Sequence, residues 1–477
     1  MPDVSTDGKD KVRLKKKFGL PTGLSLVIGS IIGSGIFITP SGIAAEVGSV
    51  GATLLVWFMC GIISIFLSFA YAELGTLIRR QGGDYTYILQ GLKGFHKFFG
   101  PLPAFLFLWM KLVTGPATVA IAALSFARYI VFPFFPDCDT PLYVIRIVAA
   151  FCILSVVLIN MSSVTLVSRV LVLFTTVKMA TIGMIVIAGI VRMTQGHTHH
   201  LSTGFDGSAT SPGSYAVACY MGLFGFEGWD NLCTVVEEMV NPKRNVPLCL
   251  FSGISIVIVV YILANCSYFT VMSPYTMQQS GAVVMSWAEH VIGPASYVIP
   301  VLVACSVFGM LTSLILTDSR IFFAGAREGQ LMSALSMVHV TKATPMPVLC
   351  FQATLGFIYT CVSDIYSLMR YRIFCEIVFR AMTICCLVIL RRTANDNRNN
   401  VFKTPAPILG TSILLCFFLI VAPVVDKPRI ETLYAVLMVL VGIVFYVPFV
   451  YYKIKLPFVD KLTRFIQKLF LVVPTME

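Results

Sequence analysis

Apolar runs of roughly 20 residues, the length an α-helix needs to cross a bilayer, recur along almost the whole chain with short polar stretches between them. They lie near 19–46, 51–78, 97–131, 142–160, 165–192, 215–239, 248–272, 295–322, 346–363, 371–390, 405–424 and 431–452. The pattern predicts an all-α polytopic membrane protein with twelve transmembrane helices in one domain over residues 18–455. A basic tail at 1–17 and a second tail at 456–477 flank it. Residues 456–471 (LPFVDKLTRFIQKLFL) read as an amphipathic helix, either lying on the membrane surface or solvated.

Composition narrows the class. The 477 residues are 57% hydrophobic and 12% charged, with mean hydropathy +0.86, against about 45–50% apolar and about 25% charged in soluble domains. An ordinary soluble protein, a disordered chain and a coiled coil are excluded. The net charge of +12 need not mean nucleic acid: about 24 of the 35 Lys and Arg fall in alternate loops and tails, the positive-inside pattern. That pattern and the even span number place both termini in the cytoplasm. The tail residues Lys9, Lys11, Arg13, Lys15, Lys16 and Lys17 precede no cleavage site, so no signal peptide is expected.

Glycine interrupts two runs. The first reads Ile28-Gly29-Ser30-Ile31-Ile32-Gly33-Ser34-Gly35-Ile36-Phe37 and the sixth Gly222-Leu223-Phe224-Gly225-Phe226-Glu227-Gly228-Trp229. They stand five spans apart, as in a five-plus-five inverted repeat with two helices appended, and discontinuous helices at matching places point to a midplane transport site. Gly29 and Gly33 also fit a small-residue packing face, whereas glycines flanking Ser34 favour unwinding. Pro40 and Ser41 add a helix stop or kink. Unwound backbone in a membrane leaves polar groups that must be satisfied, and a zwitterion can satisfy them. N–H groups around Ser34 and Gly35, at the start of a half-helix, suit a carboxylate. Carbonyls near Ile31 and Phe224 suit an ammonium.

These two motifs, together with Glu237-Glu238-Met239-Val240-Asn241-Pro242 and Ser319-Arg320-Ile321-Phe322-Phe323-Ala324-Gly325-Ala326-Arg327-Glu328-Gly329, resemble the light-chain subunits of the heteromeric amino acid transporters. That is the L-type amino acid transporter family of the amino acid, polyamine and organocation superfamily. The resemblance implies the leucine-transporter fold, sodium-independent exchange of L-amino acids by alternating access at the plasma membrane, and a single-span glycoprotein heavy chain as partner. Carried over by motif, Ile31, Ser34 and Gly35 bind substrate and Phe224 is the aromatic gate over it. Trp229 fits a packing or an interfacial role equally.

Four charged features sit inside the runs. An acidic group at helix centre costs about 2.5–3.5 kcal/mol, so Glu227 must face a cavity or a partner. Light chains that handle cationic amino acids and cystine resemble this chain in having an acid there, which implies that Glu227 binds a cationic side chain. A structural pair with an intramembrane Lys or Arg is the other reading. Lys178 has a counterpart in the family, standing where sodium-coupled relatives bind an ion, and apolar neighbours on both sides oppose snorkelling. Lys111 reads either as a vestibule residue or as a snorkelling one. The tenth run departs from the family: Arg370, Arg372, Glu376 and Arg380 replace apolar or aromatic residues, and the last three share one helix face, where Glu376 can pair with either neighbour. That stripe reads as a pathway wall or as a self-neutralised structural feature.

Thirteen of the 14 cysteines map to spans or their ends, as small apolar residues. Cys138 is alone in a predicted extracellular loop, and a lone thiol in an oxidising compartment points to an intermolecular disulfide, against a free thiol. The resemblance implies the bridge to the heavy chain at this loop. The sequons at Asn160 and Asn265 fall where lumenal glycosylation cannot reach. His197, His199 and His200 read as a polar loop. No metal motif, cofactor-binding loop or catalytic triad is evident, so neither a cofactor nor enzyme activity is expected. The alternative is a proton-coupled or uniport amino acid or polyamine carrier without a heavy chain. A channel or receptor would not need paired broken helices.

Overall fold

The structure is a computed structural model that describes residues 17–33, 35–134, 141–280, 283–361, 366–393, 401–426, 430–454 and 457–474. The first run forms α1 (Leu20–Ile31) and α2 (Gly35–Val47), followed by α3 (Val50–Leu77), a short α4 (Asp84–Leu92) and α5 (Leu102–Val131). Then come α6 (Leu142–Ser162), α7 (Val164–Thr194) and a single turn, α8 (His199–Ser202). The sixth run divides into α9 (Pro212–Gly225) and α10 (Asn231–Thr234). Beyond it lie α11 (Pro242–Phe269), the short α12 (Pro274–Gln279) and α13 (Val283–Ile292), α14 (Val298–Arg327) and α15 (Met346–Thr360). The chain closes with α16 (Tyr366–Thr393), α17 (Ala406–Asp426), α18 (Ile430–Phe445) with a π turn at Tyr446–Tyr451, and α19 (Pro457–Phe470).

Helix is present in every one of the predicted runs, and among the described residues eight segments are by themselves long and apolar enough to cross a membrane. Of the others, α15 has 15 residues and the sixth run is broken. α16 has 28 residues but carries the arginine and glutamate stripe. Outward side chains such as Phe151, Leu158, Ile187, Val259 and Phe417 are exposed, where lipid would meet them. Lipid is as apolar as leucine, so close packing and hydrogen bonds between helices, more than apolar burial, hold such a bundle together. Accordingly α2 packs on α9 and α5 on α14, first run with sixth and third with eighth, the pairs that a five-plus-five repeat relates. α1 lies against α7, α11 and α14.

Two details sharpen the expected pattern. Pro40 does not stop the first run: α2 continues through it to Val47, and Thr39 Oγ1 donates to the Gly35 carbonyl at 2.9 Å. After α19 the chain turns into a strand, β2 (Val472–Pro474), antiparallel to β1 (Met337–His339) between α14 and α15. Polar contacts close the same end of the bundle. The backbone N–H groups of Lys17 and Phe18 donate to the Glu238 carbonyl at 2.9 and 3.0 Å. Arg320 Nε donates to Glu238 Oε1 at 2.7 Å and Arg327 NH1 to Glu237 Oε2 at 3.2 Å.

Candidate functional site

Helix α1 ends at Ile31, where the Ile32 N–H still donates to the Ile28 carbonyl at 2.8 Å. Helix α9 ends at Gly225. There the Phe226 N–H reaches the Gly222 and Leu223 carbonyls, both at 3.1 Å, and the Glu227 N–H takes the Phe224 carbonyl at 3.2 Å. The chain then bends at Gly228, whose φ of +105° is a conformation that L side chains rarely adopt. The two breaks face each other closely. A Cβ on Gly228 would stand 2.9 Å from Ser30 Cβ, and one on Gly35 would stand 3.0 Å from Gly225 Cα.

One tyrosine ties the breaks together. The hydroxyl of Tyr261, buried on α11, lies 3.0 Å from the carbonyl of Ile31 and 3.0 Å from that of Gly225, the last residues of α1 and α9. From α7, Lys178 is 1% exposed and its Nζ donates to the Gly29 carbonyl at 2.6 Å, so it does not snorkel. On the same helix Thr175 Oγ1 donates to the Ser25 carbonyl at 3.0 Å.

A cavity opens beside the breaks. Ile31, Gly35, Phe224 and Glu227, four of the residues expected to bind substrate, line it, along with Ser30, Asn231 and Arg372. Phe224 and Glu227 also line a small neighbouring cavity that includes Glu376 and Arg380. Ser34 and Cys138 lie outside the described residues. Among the described residues, no three His, Cys, Asp or Glu side chains are grouped to hold a metal ion.

Glu227 already has a cationic neighbour. Arg372 NH2 donates to Glu227 Oε1 at 3.1 Å, while its Nε donates to Glu376 Oε1 at 2.7 Å and its NH1 to Thr118 Oγ1 at 2.6 Å. Lys111 Nζ reaches the same Glu376 oxygen at 2.8 Å and is 8% exposed, so it neither snorkels nor hangs free in a vestibule. The stripe on α16 thus pairs Arg372 with Glu376 along the helix. Arg380 turns instead to Asp230 Oδ1 at 3.5 Å and lies over the Trp229 ring, 5.0 Å from its centroid. Trp229 is buried, with Tyr71 against its edge, which makes it a packing residue. Buried charges hold only as a complete set, because removing one partner strands the other in a medium that cannot solvate it.

Tyr261, Thr118 and Asp230 escaped the reading of the sequence. A tyrosine or threonine in an apolar helix carries no local signal of what it faces. Asp230 follows Trp229 directly, yet its partner lies on a helix 150 positions further along.

Comparison with known proteins places residues 18–447 within the amino acid permease model. The chain is 40% identical over 441 residues to the b(0,+)-type amino acid transporter 1 of Mus musculus, covering 92% of this chain and 89% of that protein. It is 35% identical over 472 residues to the human cystine/glutamate transporter, covering 98% and 92%. It is 36% identical over 487 residues to the large neutral amino acids transporter small subunit 2 of Rattus norvegicus, covering 99% and 89%.

Proposed function

Because the chain belongs to the amino acid permease family, we propose that it is a sodium-independent exchanger of L-amino acids working by alternating access in the plasma membrane. Both chain ends face the cytoplasm, and Cys138 links the chain to a single-span glycoprotein heavy chain. The observation that carries the reading is the Tyr261 hydroxyl lying against the last carbonyl of both half-helices, beside one cavity. Two helix ends that meet at a cavity offer a zwitterion one place for each of its charges. The α-ammonium lies by the carbonyls of Ile31 and Gly225. The α-carboxylate lies at the start of α2, where the N–H of Gly35 and the helix dipole favour an anion. Phe224 closes over the substrate, and Glu227 faces its side chain.

Sodium independence rests on Lys178. Its Nζ, held on the Gly29 carbonyl at 2.6 Å, supplies a resident donor to the first break. The basic loops alternating along the chain support the orientation. Exchange follows when the empty carrier reorients slowly and the loaded one fast.

The test is efflux of preloaded, labelled leucine from cells expressing the chain with a heavy-chain glycoprotein. Efflux is expected to need external leucine and to be indifferent to replacing Na⁺ by choline. Equal efflux into substrate-free medium would overturn exchange, and loss of efflux in choline would overturn sodium independence.

A further inference from the structure

Resting on the exchanger reading, we infer that Arg372 is a resident substitute for a cationic substrate side chain: it occupies Glu227 and makes the cavity select neutral amino acids against lysine and arginine. Glu227 taken alone points to the opposite preference, since an acid in a transport cavity invites a cation. The geometry reverses that. Glu227 and Arg372 line the same cavity, and the guanidinium lies 3.1 Å from the carboxylate oxygen that a substrate cation would seek.

Arg372 is not free to swing aside. Each of its three nitrogens donates to a different side chain: Nε to Glu376 on its own helix, NH1 to Thr118 on α5 and NH2 to Glu227 at the second break. Glu376 is in turn held by Lys111. The four charges hydrogen-bonded from Lys111 through Glu376 and Arg372 to Glu227 alternate in sign. A lysine side chain entering beside Glu227 adds a fifth charge next to a guanidinium, and like charges repel strongly where water is scarce. Displacing the guanidinium instead strands it without its carboxylate. An acidic side chain meets Glu227 and Glu376. An uncharged side chain disturbs none of these pairs. Specificity here comes from a repulsive element already built into the site.

The experiment compares lysine and leucine in the full chain co-expressed with a heavy-chain glycoprotein. In the unaltered protein, lysine is expected to compete against labelled leucine uptake at least tenfold more weakly than leucine itself does. Arg372→Gln is expected to raise the ratio of lysine to leucine uptake at least tenfold, equivalent to about 1.4 kcal/mol. The double variant Glu227→Gln with Arg372→Gln is expected to bring the ratio back to that of the unaltered protein. Half-inhibition by lysine within threefold of leucine's own overturns the inference without any variant. So does an Arg372→Gln protein that still carries leucine with an unchanged ratio, or a gain that survives in the double variant. Should Arg372→Gln fail to reach the surface, the competition assay on the unaltered protein decides. Absence of leucine exchange in the unaltered protein would instead sink the exchanger reading and this inference with it, whereas leucine exchange with a flat ratio sinks the role of Arg372 alone.

Discussion

The break after Ile31 is held through neutral carbonyls: Gly29 accepts from Lys178 at 2.6 Å and Ile31 from Tyr261 at 3.0 Å, so its anchors are α7 and α11. The break after Gly225 is held through charged side chains. Glu227 is paired with Arg372 at 3.1 Å and Asp230 with Arg380 at 3.5 Å, so α16 is added to the Tyr261 contact that both breaks share. The two breaks line one cavity and share Tyr261, but their further anchors differ in kind. Hydrogen bonds to carbonyls are modest and can be remade one at a time. Ion pairs out of water hold as a set or not at all. The second break is therefore tied to α16 by charge, and the first to α7 by a single amine on a carbonyl.

The sharpest way to break this comparison is Gly228→Ala. The left-handed φ of +105° and the approach of Ser30 Cβ to 2.9 Å act together at this residue. A strained φ costs roughly 1–2 kcal/mol and overpacking a further 1–3 kcal/mol or so, so leucine exchange per surface-labelled protein is expected to fall about a hundredfold. Exchange near the unaltered level would show that the second break is not fixed in this shape. A smaller loss is expected of Lys178→Met, which removes one charged donor from the Gly29 carbonyl. At about 1.5–3 kcal/mol for a hydrogen bond to a charged group, exchange should drop at least about tenfold with surface amount retained. An undiminished rate would leave the first break without the anchor assigned to it. The mildest effect belongs to Gly35→Ala. Its Cβ would come 3.0 Å from Gly225 Cα, at a backbone that a few tenths of an ångström of movement can relieve. The cost is about 1 kcal/mol, so KM for leucine should rise about fivefold. A loss as large as that of Gly228→Ala would mean that the two halves are locked together and not merely close.

Much of this arrangement was legible in the chain. The breaks and their five-span separation follow from glycine spacing in apolar runs, whereas Ile31, Gly35 and Phe224 were singled out by the resemblance to the family motif and Glu227 by its charge. Lys178 was legible for the same reason, as a charge too deep in apolar sequence to reach an interface. The i, i+4 pair of Arg372 with Glu376 was also visible, being a matter of one helix. What stayed hidden is how distant helices meet. The partner of Glu227 lies 145 positions away and that of Lys111 265 positions away. Spacing offered Glu376 to Arg372 and Arg380 alike, and only the fold sends Arg380 to Asp230 instead. Gly228 was written into the motif, but its φ was not.

Tyr261 has a hydroxyl with a single hydrogen and two carbonyls at equal distance from it. One hydrogen shared between two carbonyls cannot satisfy both fully, so each keeps acceptor capacity for a further donor. A guest with an ammonium group arrives with three. Recognition of an amine at this point is then a matter of counting protons as much as of shape, and a carboxylic acid of the same outline with no amine would leave the shortfall where it was.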